Sequence, residues 1–198
     1  MARPSKFNRD EAVEFAMNEI WRNGYEASSV KALSEKLGIT RSSFYNAFGS
    51  RELLFKEALD LYFSQSPDQA LATATPGTPI KKLLTNTFRQ ACRTRAADPE
   101  GRGCLAINSV TELCNVHVEL GPLLTEAVLG SISHIELVLA WGVAQGEIAA
   151  DTNLHAKALA LQNLLIGLNV MCKVISNEDE LWVTAKTTLD GLDLYEEA

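Results

Sequence analysis

The chain has no uninterrupted apolar run of the about eighteen residues that a bilayer-spanning helix needs. Its longest apolar-rich stretch, Leu154 to Ile175, is broken by His155, Lys157, Gln162, Asn163, Asn169 and Lys173, so no membrane partner is expected. Cysteine is sparse, with only Cys92, Cys104, Cys114 and Cys172 in 198 residues. Without an export signal these read as reduced thiols rather than a disulfide framework. The opening MARPSKFNRDEAVEF lacks the apolar segment of a secretory signal and carries acids where transit peptides avoid them, so the expected location is the cytoplasm. Strand-like alternation is missing throughout. So is any constellation for catalysis, whether a nucleophile with its base, paired carboxylates, a phosphate loop or a metal cluster. Gly101-Arg102-Gly103 is too short to cradle a phosphate, His117, His134 and His155 fall on different segments, and Cys114 with His117 lacks a second ligand pair. An enzyme is therefore not expected, nor a cofactor or metal.

What is present suits a soluble globular chain of one large or two small domains, with 46% hydrophobic and 22% charged residues. The net charge of −7 is unevenly spread. Residues 1–56 hold nine Lys and Arg against seven acids, a balance of +2, which leaves −9 for the remainder. A positive first quarter on an acidic body permits local contact with nucleic acid but does not by itself establish it.

Apolar residues recur at helical spacing almost everywhere, as in Val13, Met17, Ile20 and in Leu161, Leu164, Leu168, Met171 and Ile175. Asn8, three before Glu11, reads as a cap with a reciprocal acid, and Gly24 ends the same pattern. Ser29, Thr40 and Ser50 are further N-caps. The expectation is an all-α fold of about nine helices, near 9–23, 29–37, 41–47, 50–65, 79–97, 103–116, 122–145, 153–175 and 178–194. SPDQALATATPGTP, residues 66–79, is the linker candidate and the place for a mobile loop.

In SSVKALSEKLGITRSSFYNAF, a short helix ending at Leu37 meets Gly38, then a second short helix capped by Thr40. This is a helix-turn-helix. Leu33, Leu37, Ile39 and Phe44 face a shared core, the small Ser34 allows close helix approach, and Gly38 supplies a positive φ without a Cβ penalty. The second helix displays Arg41, Ser42, Ser43, Tyr45 and Asn46, and has little to bury.

The segment GITRSSFYNAFGSRELLFKEAL resembles the signature of the TetR family of transcriptional regulators, in which a recognition helix ends in Tyr-x-x-Phe, here Tyr45 to Phe48. The next helix opens with a basic residue and a Leu-Leu pair, here Arg51, Leu53 and Leu54. The resemblance covers roughly residues 9 to 58 and departs at Asn46, where His is frequent, and at Arg51, where Lys is usual. It implies a helix-turn-helix DNA-binding domain over 1–50 and an effector-binding and dimerisation domain over 51–198. Two recognition helices of a homodimer would enter successive major grooves of double-stranded operator DNA, and a small-molecule effector would change their separation. The family reading is a repressor.

Within the reader, Arg41 and Ser42 are assigned to base edges, because N-terminal residues of such helices reach deepest, with Ser43 as a weaker third. Tyr45, Asn46, Arg51 and Ser29 are assigned to phosphates, Thr40 caps the recognition helix, and Arg3 and Lys6 suggest an arm. Dimerisation draws support from Leu161, Leu164, Leu165, Leu168, Leu181, Trp182, Leu189 and Leu192, apolar on more than one helix face, with burial inside the monomer as the alternative. Asn108, His117, Trp141 and Asn169 are candidates for an effector pocket. Gly103-Cys104-Leu105 resembles a subgroup in which some members respond to oxidants or electrophiles through that cysteine, aided by a lysine on a later helix, for which Lys173 is the candidate. A thiol at a helix N-terminus near Arg102 favours thiolate, but a buried free cysteine is often a small hydrophobe, so inert packing is the reading taken and sensing is its alternative. A helical ligand-binding or catalytic module with a merely structural N-terminal hairpin is the reading of a different class.

Overall fold

The computed structural model describes residues 8–197. Arg3 and Lys6 lie outside the described residues. Ten helices follow one another: α1 (Arg9–Asn23), α2 (Val30–Leu37), α3 (Arg41–Phe48), α4 (Arg51–Gln65), α5 (Gln69–Ala72), α6 (Ile80–Ala96), α7 (Leu105–Leu113), α8 (Leu120–Ala144), α9 (Leu154–Met171) and α10 (Glu178–Gly191). Among the described residues there is no strand.

The early helix ends follow local chemistry. Asn8 accepts from the Asp10 and Glu11 amides, Ser29 from Ala32, Thr40 from Ser43 and Ser50 from Leu53, so each cap holds an otherwise orphaned N–H. Gly38 adopts φ +67°, which reverses the chain between α2 and α3. Later boundaries depart from the apolar periodicity. Helix α7 stops at Leu113, short of 116, because Asn115 takes φ +64° and the Val116 and His117 amides both close back on the Leu113 carbonyl. Helix α9 stops at Met171, short of 175, where Lys173 and Val174 form tighter three-residue bonds to Val170 and Met171.

Three clusters form the interior. The first, under the reader, joins Ala12, Val13 and Ala16 of α1 to Leu33, Phe44, Phe48 and Leu54. A second joins Met17 and Ile20 of α1, Tyr25, and Phe55, Leu59 and Tyr62 of α4 to Cys104, Leu105 and Leu113 around α7, and to Leu120 and Leu124 of α8. The largest holds α6, the second half of α8, α9 and α10. Helix α4 thus serves two cores across the expected boundary at residue 50.

Two expectations need correction. The 66–79 segment carries the one-turn α5, buries Leu71, and places the Leu71 carbonyl 2.9 Å from His134 Nε2. Helix α8 is long and apolar enough, by length and composition, to cross a membrane, which reading 154–175 as the longest apolar-rich stretch overlooked. Its apolar residues feed two cores, Leu124 one and Ile135, Val138 and Leu139 the other.

Candidate functional site

Helix α3 rests on Phe44 and Phe48, both buried, which leaves the opposite face to solvent. Arg41, Ser42, Ser43 and Asn46 are exposed and Tyr45 is 51% exposed. The side chains of Arg41, Ser42 and Asn46 have no hydrogen bond or ion pair within the described residues. Thr40 Oγ1 accepts from the Ser43 amide at 3.0 Å and lies 2.9 Å from the Ser43 hydroxyl, so both hydroxyls are oriented by the helix start. Ser29 is half-buried and its oxygen caps α2 at 3.2 Å.

Arg51, expected on phosphate, is held by contacts within the chain. Its guanidinium stacks 3.7 Å from the centroid of the Tyr25 ring, Nη2 donates to the Tyr25 carbonyl at 2.8 Å, and the side chain is only 18% exposed. Such a cation–π contact, with a charge-assisted bond beside it, fixes the α1–α2 turn to α4. Tyr25 Oη donates to Glu52 Oε1 at 3.1 Å, and Glu52's carboxyl is held below the usual range chiefly by its own backbone amide.

The same turn is gripped from the C-terminal side. Glu112 on α7 accepts from the Tyr25 amide at 2.9 Å and the Glu26 amide at 2.8 Å. His117 packs edge-on to the Tyr25 ring, its Nδ1 accepts from the Leu120 amide, and its Nε2 stands 3.8 Å from Glu52 Oε1. Lys56 on α4 pairs with Glu119 at 2.6 Å. The reader is therefore joined to the C-terminal helices through hydrogen-bonded and charged contacts as well as a shared core.

The pocket residues proposed from sequence do not converge. Asn169 and Cys104 line one chamber of about 70 Å³, which adjoins a chamber of about 540 Å³ between α4, α5 and α8 through shared Phe63, Asp68, Ala127, Ser131 and Leu165. Trp141 packs on the largest core. His117 faces a separate surface hollow beside α8. Asn108 and Lys173 both donate to the Arg102 carbonyl, at 2.8 and 3.1 Å, and so hold the loop before α7. Lys173 lies past the end of α9 rather than on it, as the tightened turn dictates.

Sequence reasoning missed Tyr62, Arg95, Asp68 and Gln162. Arg95 is 4% exposed, with Nε donating to Asn169 Oδ1 and Nη2 donating to Tyr62 Oη at 3.2 Å. Its signal was legible, since Leu84, Phe88, Ala91 and Arg95 follow one helical stripe and a charge on such a stripe requires buried partners. Gln162 Oε1 accepts from Ser131 at 2.8 Å.

Cys104 is the N-cap residue of α7, as expected, yet it is 5% exposed and burial pushes its thiol pKa up, against the pull of the Tyr62 hydroxyl and Arg95. Burial thus works against the thiolate that a helix N-terminus favours, in keeping with packing. Arg102 does not face the thiol. Its Nε lies 3.2 Å from Asp98 and its guanidinium sits 3.9 Å from the centroid of the Trp21 ring. Gly103 has φ +74°, and a Cβ there would run into the Asn169 carbonyl of α9, so close packing accounts for the glycine of Gly-Cys-Leu.

Residues 13–58 match the family described as bacterial regulatory proteins, tetR family, and residues 80–187 match the tetracyclin repressor-like C-terminal domain. The HTH-type transcriptional repressor ComR of Escherichia coli (strain K12) is 26% identical over 190 residues, covering 94% of this chain and 90% of that protein. The uncharacterized HTH-type regulator YezE of Bacillus subtilis (strain 168) is 24% identical over 198 residues, covering 98% of this chain and all of its own. A cysteine mutant of the TetR family regulator CifR, solved with a 26-base-pair double-strand operator DNA, superposes with a TM-score of 0.83 at 30% identity, covering 95% of this chain and 98% of that one. Two matched domains in the same order, on a helix-turn-helix whose polar face is exposed, leave one assignment: the chain belongs to the TetR family of bacterial transcriptional regulators, DNA-binding proteins rather than enzymes.

Proposed function

We propose that this regulator is a homodimeric repressor that binds a palindromic operator and leaves it when a small molecule occupies the C-terminal domain. The observation that carries the reading is the α3 face, where Arg41, Ser42 and Asn46 stand exposed and unpaired on a helix anchored by Phe44 and Phe48. A helix with this exposure fits a major groove, its first residues on base edges and Tyr45 and Asn46 on the backbone. Near relatives described as repressors, and a similar chain solved on operator DNA, support the same direction.

Dimerisation rests on different residues from those picked out by sequence. Leu161, Leu165, Leu168, Leu181 and Leu189 are all buried within the monomer, which is the alternative already named. Exposed apolar residues on these helices are Leu159, Val170 and Met171 of α9 and Val183 of α10, and Met171 lines a groove of about 310 Å³ with Ala160, Gly167 and Thr184. The α9–α10 groove suits a second copy, and the cytoplasm is the expected location.

The test is selection from a random duplex pool. We expect enrichment of an inverted repeat with half-site centres about 34 to 36 Å apart, or a multiple of that, with affinity falling as salt rises. Arg41→Ala should relax discrimination at one position per half-site by about 1–3 kcal/mol, while Tyr45→Phe should weaken all sequences alike. A protein that enriches no symmetric sequence at low salt overturns the proposal.

A further inference from the structure

The two adjoining chambers have an unusual wall for a protein interior. Their lining is largely apolar, with Phe63, Ala127 and Leu165 common to both, and the outer one, at about 540 Å³, falls within the range of small-molecule sites. Asp68 borders both chambers, and its Oδ1 is buried with no hydrogen-bond partner. Asp68 is the residue before α5, where an aspartate normally caps the helix, yet its side chain accepts no cap bond there. An acceptor withheld from its own helix and shut away from water is costly unless something else donates to it.

The surrounding charges narrow what that donor is. The Arg95 charge and a bond with the Ser66 side chain both favour the ionised Asp68 carboxyl against its burial, while Oδ1 stays without a partner, and the hydrogen bonds of Arg95 run to Asn169 and Tyr62 rather than to a carboxylate. Asn169, Gln162 and Ser131 reach the inner chamber, with Gln162 and Ser131 bonded to each other. Asp60 and His134 also line the outer chamber, the His134 ring being tied to the Leu71 carbonyl. An anion would therefore face two carboxylates, and a cation beside Asp68 would lose its water in a largely apolar site within the field of the buried guanidinium, whereas a neutral donor meets neither penalty. We propose that the joined cavity between α4, α5 and α8 binds a compact, mostly apolar, neutral molecule carrying a hydroxyl group, an alcohol or a phenol, whose O–H donates to Asp68 Oδ1. This rests on the reading of the chain as an effector-released repressor, for which it names the effector class.

The experiment uses the full chain with four probes of matched size: para-propylphenol, para-propylanisole, para-propylbenzylamine and para-propylbenzoate. Binding is read by thermal unfolding and by release of the duplex selected from the random pool. Para-propylphenol should bind at least about tenfold more tightly than the other three, because only it donates without charge. Asp68→Ala should bring the phenol and the anisole to equal affinity, and Ala127→Trp, which fills the cavity from α8, should abolish binding of both. Equal affinity of phenol and anisole for the unaltered chain overturns the proposal. So does preference for the amine or the benzoate, or a phenol preference that survives Asp68→Ala. If the chain selects DNA but no probe binds, this site fails and the regulator stands. If the phenol binds as described but no DNA is selected, the regulator fails and the site stands.

Discussion

Replacing Glu112 by alanine removes the carboxylate that holds the Tyr25 and Glu26 amides at 2.9 and 2.8 Å. A hydrogen bond to a charged group contributes about 1.5–3 kcal/mol when both ends are shielded. Here Glu112 is half-buried and Glu26 exposed, so water can replace one of the two bonds, and the combined loss should be about 2 kcal/mol. For a chain of this size that lowers the unfolding midpoint by about 4–8 °C. Gly24 permits an internal check. It has φ +85°, and an added Cβ would lie 3.0 Å from Glu112 Oε2. Gly24→Ala therefore meets both backbone strain and the carboxylate in the natural chain, but only the strain once Glu112 is gone. The two substitutions together should cost at least about 1 kcal/mol less than the sum of each alone, measured by urea unfolding in a double-mutant cycle. Additivity within about 0.5 kcal/mol, or an unchanged midpoint for Glu112→Ala, would refute the claim that this carboxylate fastens the reader to α7.

Gly103→Ala should destabilise by about 3 kcal/mol or more, because positive φ and collision with the α9 backbone add, and chemical denaturation will show whether it does. Asp68→Asn tests the buried carboxyl: burial raises its pKa, so its ionised form costs stability as pH rises above the unfolded value of about 3.9. The amide variant should melt higher than the natural chain at pH about 7, with the gain shrinking towards pH about 4, and a gain independent of pH would refute the cause. Iodoacetamide near pH about 7 should alkylate the half-exposed Cys114 well before Cys104, whose burial keeps the thiol protonated, and mass spectrometry of a time course will rank them. Faster labelling of Cys104 would restore the electrophile-sensing reading.

The reader was legible because its determinants are local. Asn8, Ser29, Thr40 and Ser50 announce their helices within three residues, and Gly38 marks the turn whichever partner lies beneath it. The cavity was not legible, because it gathers residues as far apart as Phe63 and Asn169, and its polar spine is set by how α6 and α9 meet. Asp68 sits in a stretch whose Pro, Thr and Gly content reads as linker, so nothing nearby hinted that Leu71 would pin it to α8. The inward contact of Arg51 was hidden for the opposite reason: its helix position suits phosphate contact, and only the Tyr25 ring, distant in sequence, holds it inward.

The sharing of α4 between two cores bears on how binding specificity can be exchanged among such regulators. Leu54 belongs to the cluster under the reader, while Phe55, Ala58 and Tyr62, on the same helix, belong to the one continuous with α7 and α8. A graft cut at residue 50 would set foreign apolar surfaces of α1 against this chain's α4, a mismatch that close-packed interiors tolerate poorly. The exposed positions Arg41, Ser42, Ser43, Tyr45 and Asn46 belong to neither cluster, Tyr45 alone meeting the edge of Phe44, so on the proposed reading the unit of transplantation is a set of outward side chains and not a domain. A lineage can thus change the address it reads while the rest of the scaffold, the cavity between α4, α5 and α8 included, stays as it was.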